Sequence, residues 1–163
     1  MNPSQDSYTR LIALLEEHHA DYRLIEHDLE GQTEAVSALR GNRLSEAAKC
    51  IIVMVKIGKK QKRFVLAVVP GDKRINLNAI KALYKGTYVS FASNDIAEQL
   101  AGSVSGTILP FSFSPELELI VDPSLLANET IYFNAARLDR SLALNTKDYM
   151  SIAQPRPEKI IEG

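Results

Sequence analysis

The sequence holds a single cysteine, Cys50, in 163 residues. No internal disulfide can form, and a reducing cytoplasm is the expected compartment. No run approaches the roughly 18 apolar residues of a membrane span, so no membrane partner is expected. The first residues, MNPSQDSYTR, have neither the basic nor the apolar stretch of a secretory signal. Charge of one sign is missing too: 19 Lys and Arg against 20 Asp and Glu leave a net charge of -1. That argues against wrapping long nucleic acid through an overall field. It does not exclude a short nucleic-acid end, which needs only a few local contacts. Three scattered histidines and one cysteine lack metal-ligand spacing, so neither metal nor cofactor is expected. The GxSxG, P-loop, GxGxxG and HExxH patterns are absent. No internal repeat, low-complexity run or linker divides the chain, and its length suits one domain with one core.

Hydrophobic residues make up 45% and charged residues 24%, an ordinary globular balance. Tyr8, Leu11, Ile12 and Leu15 follow i, i+3, i+4, i+7 spacing and predict a first helix, capped by Asp6 or Ser7. Ala20–His27 reads as a short strand. Thr33–Arg40 reads as a helix stopped by Gly41. Ala47–Ile57 and Arg63–Val69 are β-branched and nearly continuous, as buried strands are, and the GKKQK link makes them a hairpin. Further helices are expected over Asn76–Lys85, from Ser93 to Leu100, and from a Thr146 cap to Ala153. Short strands are expected at Tyr88–Phe91, Leu117–Val121, Thr130–Phe133 and Leu142–Leu144. Residues 1–154 form the domain. Pro155 and Pro157 open a mobile tail over 155–163. Helices scattered among hairpins predict an α+β class: a mixed, curved, barrel-like sheet surrounded by helices.

Lys49 stands out because apolar residues follow it along its strand. Such a lysine snorkels to water or holds an anion, a phosphate or a carbonyl oxygen in a pocket. Residues 102–115, GSVSGTILPFSFSP, form the second oddity: glycines and serines interleaved with large apolar residues. The segment is either a turn packed by Phe111 and Phe113 or a backbone cradle for an oxyanion. His27 is ordinarily a packed or surface residue, and His18 and His19 are solvated. Cys50 beside Lys49 suggests a thiol nucleophile with His27 as base. Adjacent strand residues point to opposite faces, which disfavours that reading. The basic run KIGKKQKR, residues 56–63, is a solvated hairpin tip or a contact for nucleic-acid phosphates.

Several blocks together resemble the YbaK/ProX family of aminoacyl-tRNA deacylases, related to the editing domain inserted in bacterial prolyl-tRNA synthetases. They are the strand ending in His27, TEAVSALRG, AAKCIIVMVK, VVPGD, GSVSGTILPF and IYFNAARLDRSLAL, in order over roughly residues 8–153. The resemblance implies a free-standing hydrolase that clears a wrongly attached amino acid, such as Ser, Thr, Ala or Cys, from tRNA. It implies that Lys49 holds the aminoacylated 3′ end and that Gly106 belongs to the backbone loop lining the amino-acid pocket. Pro110 and Phe111 shape that loop beside Ser105. His27, Cys50, Asn134 and Ser141 match pocket-lining positions. Family chemistry is ester hydrolysis by water, without metal or covalent nucleophile. The implied partner is the acceptor end of an aminoacyl-tRNA, with a synthetase as a further candidate and a monomer favoured. Cys50 replaces a threonine or other small residue, and NAAR stands where many relatives have a glycine pair; both departures bear on selectivity. The alternative function is a non-catalytic module that senses an amino acid or aminoacyl-nucleotide in the same pocket.

Overall fold

The computed structural model describes residues 3–104 and 106–163. Helix α1 (Pro3–Glu17) leads into β1 (Tyr22–Glu26), α2 (Thr33–Arg40) and one 3₁₀ turn at Leu44–Glu46. The long hairpin β2 (Ala48–Ile57) and β3 (Gln61–Pro70) follows. Then come α3 (Leu77–Leu83), β4 (Tyr88–Phe91), α4 (Asn94–Ala101), β5 (Leu117–Val121) and α5 (Pro123–Leu126). The chain closes with β6 (Thr130–Arg137), β7 (Arg140–Asn145), α6 (Thr146–Ala153) and β8 (Arg156–Pro157).

The α+β class is as expected, but the sheet is not one closed barrel. Five strands in the order β4-β2-β3-β5-β8 form one sheet, and β1-β7-β6 form another. A lone parallel bridge between Ala47 and Tyr132 joins them. The larger sheet is mixed: β2 and β3 are antiparallel, while β3 and β5 run parallel. It is apolar on both faces, which is why its central strands read as continuous hydrophobic runs. Cys50, Ile52, Leu66 and Val68 pack into one cluster with Leu11, Leu15, Phe133 and Leu142. Ile51, Val53, Val65 and Ala67 pack into a second with Ile75, Ile80 and Ile160.

Four expectations change. Helix α1 already begins at Pro3, so positions 6 and 7 lie inside it and not at its start. The last helix is capped by Asn145, whose side chain accepts from the Asp148 N–H, and not by Thr146. Helix α3 is shorter at both ends than read, with Asn76 as its cap. The C-terminal segment is no mobile tail. Strand β8 adds to β5, Ile160 is fully buried, and its N–H donates to Asp122 Oδ2 at 2.8 Å. Burial of Ile160, with Ile161 partly buried beside it, holds the segment down despite its two prolines.

A β-bulge interrupts the β6–β7 pairing between Asn134 and Arg137. Within it Ala136 has φ +62° and is fully buried. A left-handed alanine costs about 1–2 kcal/mol that glycine does not, which is why a glycine pair suits this site. Ala136→Gly should therefore leave stability within about 1 kcal/mol of the parent, strain relief offsetting the lost methyl. Ala135→Gly, with no strain to relieve, should cost about 1.5 kcal/mol. Urea denaturation of the two variants separates these outcomes.

Candidate active site

A small pocket of about 70 Å³ opens where α2, the start of β2, the 102–115 segment and β6 meet. Thr33 and Arg40 line it from α2, Lys49 and Cys50 from β2. Gly106, Ile108 and Asn134 complete the wall. The volume is below the roughly 150 Å³ of an apolar cavity that admits benzene. It suits a side chain of two or three heavy atoms.

Gly106 has φ +88°, and a Cβ there would lie 3.0 Å from Gly31 Cα and 3.1 Å from Gly31 O. The glycine thus allows both the left-handed backbone and the close approach of two loops. Asn134 ties those loops together: its Nδ2 donates to Gly106 O and to Glu30 O, each at 2.9 Å. Behind it, Ser141 Oγ donates to Asn134 Oδ1 at 2.8 Å and accepts from Arg40 Nη1 at 3.1 Å. His27 Nε2 lies 2.7 Å from the same oxygen, and His27 Nδ1 donates to the carbonyl of Asp28 at 2.8 Å. His27 and Ser141 therefore sit one bond behind the pocket wall and hold Asn134, rather than facing the cavity. Pro110 and Phe111 are buried beneath the loop; Phe111 makes edge-to-face contacts with Phe133 and Tyr149. They support the loop and do not line it. Ser105 lies outside the described residues.

Two cations and no carboxylate line the pocket among the described residues. Burial pulls the Lys49 ammonium below its usual pKa; Asp72 opposes this and Arg74 adds to it. Its Nζ donates to the carbonyl of Lys73 at 2.5 Å, leaving two of its three N–H groups for another acceptor. Arg40 escaped the sequence reading. It closes a helix, where a basic residue looks like an ordinary complement to the dipole. In the fold it is half-buried and forms no ion pair among the described residues. Burial lowers its pKa to about 10, so it stays charged at neutral pH. Its other N–H groups donate to Asn42 Oδ1 and Ser37 Oγ, which fix the guanidinium at the pocket wall. The only available signal was its position, nine residues ahead of Lys49.

Alternation along β2 holds: Cys50 packs with the α1-side cluster and Ile51 with the other. Both Lys49 and Cys50 still border one pocket, because it wraps around the end of the strand. Burial pushes the Cys50 thiol far above its usual pKa, and Sγ contacts Ala48 O at 3.6 Å. A thiol held neutral is a poor nucleophile. Iodoacetamide should label native Cys50 at pH 8 at least about ten-fold more slowly than the unfolded chain. Labelling at equal rates would restore the thiolate reading. Among the described residues, no group of three or more His, Cys, Asp or Glu side chains comes together.

The same architecture occurs in solved structures. The hypothetical protein APE2540 superposes with a TM-score of 0.82 at 24% identity, covering 93% of this chain and 99% of that one. A proposed trans-editing enzyme for prolyl tRNA synthetase gives 0.78 at 18% identity, covering 96% and 98%. These likenesses establish the fold class, a single α+β domain. Sequence carries the assignment further. Residues 27–152 match the aminoacyl-tRNA editing domain. The multifunctional Ser/Thr-tRNA deacylase ProXp-y of Escherichia coli (strain K12) is 41% identical over 150 residues, 91% of this chain and 89% of that protein. The prolyl-tRNA editing protein ProX of Acetoanaerobium sticklandii is 23% identical over 153 residues, 91% and 92% of the two chains. The chain belongs to the aminoacyl-tRNA editing domain family.

Proposed function

We propose that this protein is a free-standing hydrolase that deacylates misacylated tRNA, with seryl and threonyl esters as its substrates. The observation that carries the reading is the small pocket bounded by Lys49, Arg40 and the Gly106 backbone, with no carboxylate in its lining among the described residues. An aminoacyl ester is already reactive. Placing a water and stabilising the developing oxyanion suffice to speed its hydrolysis. Water adds to the ester carbonyl, the C–O bond to the ribose breaks, and the free amino acid and the tRNA hydroxyl leave. Lys49 supplies positive charge at the ester and the Gly106 backbone faces the amino-acid side. Cys50 and Ile108 set the size and polarity of the side-chain pocket. A synthetase would add affinity and not chemistry, because every group named lies on this chain. The protein acts as a monomer in the cytoplasm, where aminoacyl-tRNA is used.

The identity to a Ser/Thr-tRNA deacylase supports the choice of amino acid. So does the volume, which excludes aromatic and long side chains. The test is a panel of aminoacyl-tRNAs carrying Ser, Thr, Ala, Cys, Pro and Phe. Seryl and threonyl esters should be cleaved well above their spontaneous rates, with Phe untouched. If no ester is cleaved faster than it decays alone, the reading fails and a ligand-sensing module takes its place. Cys50→Ala should keep hydrolysis and change the Ser/Thr ratio by about 5- to 100-fold, the range one buried group controls. Loss of all activity in that variant would contradict the role given to Cys50.

A further inference from the structure

A second cavity of about 570 Å³ is bounded by Lys49, Ile51, Arg74, Asn76, Phe91 and Glu162. It shares one residue, Lys49, with the small pocket. Ile51 belongs to the opposite face of β2 from Cys50, so the two spaces lie on either side of the strand. Both touch Lys49, near the start of β2 and outside its pairing with β4, which runs only from Val53 to Lys56. The larger cavity falls in the roughly 300–1,000 Å³ range of small-molecule sites. The small pocket has no room for a nucleoside.

The larger cavity's lining combines an aromatic ring, two cations and a carboxylate. Phe91 is 55% exposed at the edge of the sheet, an apolar ring open to the cavity. Lys49, Lys73 and Arg74 form no ion pair among the described residues. Asp72 acts on Lys49 electrostatically without pairing with it. Glu162, the one carboxylate in the lining among the described residues, can accept from the exocyclic amine of adenine or cytosine. A net charge of -1 gives no long-range pull on tRNA, so contacts of this local kind have to supply the affinity.

We propose that this cavity binds the nucleotide side of the ester: a base of the acceptor end stacks on Phe91 and its phosphate pairs with Arg74. The inference rests on the deacylase reading above. Lys49, common to both spaces, then stands at the junction between amino acid and nucleotide. The amine-bearing bases of a CCA end fit Glu162, and uracil does not.

The full chain, labelled for NMR, is titrated with the trinucleotides CCA and UUU. CCA should shift the resonances of Ile51, Arg74 and Phe91 and bind more tightly than UUU. Phe91→Ala should weaken CCA binding by about 5- to 100-fold, the range of one base–aromatic stack. Phe91→Tyr should restore it and Phe91→Leu should not, which separates stacking from mere apolar packing. Arg74→Gln should weaken binding and reduce its salt dependence by about one phosphate contact. With aminoacyl-tRNA, the same variants should raise KM and leave kcat within about two-fold. No shift in the cavity at millimolar CCA, or unchanged affinity in both Phe91→Ala and Arg74→Gln, overturns the assignment. A wild type that binds CCA here but cleaves no ester sinks the deacylase reading alone. A wild type that cleaves esters, with both variants unaffected, sinks the cavity assignment alone.

Discussion

Lys49→Ala should lower kcat/KM for aminoacyl-tRNA hydrolysis by about 10²–10³-fold, the usual loss when one oxyanion-stabilising donor is removed. The fold should survive. Lys49 forms no ion pair among the described residues, so its removal strands no carboxylate. Only the Lys73 carbonyl loses a donor, and Lys73 is exposed enough for water to replace it. Circular dichroism should therefore match the parent, and the melting temperature should not fall, while the deacylation assay collapses. A variant that cleaves at the parental rate removes Lys49 from the mechanism. Lys49→Arg should recover only part of the activity, because a planar fork does not reproduce a compact ammonium. The pH profile adds a second readout. Burial lowers the Lys49 pKa, so a rate that needs the ammonium falls as pH rises through that lowered value. The fall comes earlier than for an exposed lysine, and Lys49→Ala should lack it. Stability runs the other way. Folding disfavours this charge, so the residue's destabilising contribution is present at neutral pH and fades as pH climbs past the lowered value.

Gly106→Ala should abolish most activity, by about 100-fold or more, and also reduce stability. The added methyl would sit 3.0 Å from Gly31 Cα, with backbone on both sides, and the residue would keep φ +88°. Neither loop can give without releasing the Asn134 hydrogen bonds to Gly106 and Glu30. Backbone strain of this kind costs about 1–3 kcal/mol, or roughly 2–12 °C in melting temperature at this chain length. Gly41→Ala is the control. It too has positive φ, but nothing lies within 4 Å of its Cβ position. It should lose stability and keep its rate. If Gly106→Ala keeps the parental rate, the loop is not part of the active site.

Much of the fold was legible because its signals are local. Ser93 caps α4, Gly41 ends α2 with φ +77°, and β2 and β3 pair from Ala48 to Ile57 against Gln61 to Pro70. Long-range pairing was not legible. Nothing in the sequence of β5 says that it runs parallel to β3, or that β1 leaves the main sheet to pair with β7. The tail was misread because two prolines outweighed two isoleucines. For the site, Lys49, Cys50, Gly106 and Asn134 do border one pocket. The sequence does not tell whether His27 and Ser141 face the cavity or back its wall, since a strand pattern gives a face and not a depth. Arg40 carried no local oddity at all. Its character comes from being enclosed without a carboxylate, a property of the assembled domain.

The hydrogen bond from Lys49 to the Lys73 carbonyl also bears on how fast and how tightly the site can work. A free lysine side chain gives up as much as about 2 kcal/mol of rotamer entropy when it is fixed. Here that ordering is completed during folding, with the chain already held across to Lys73. An arriving oxygen thus meets an ammonium whose search is over, and the entropic cost of capture falls mainly on the tRNA end.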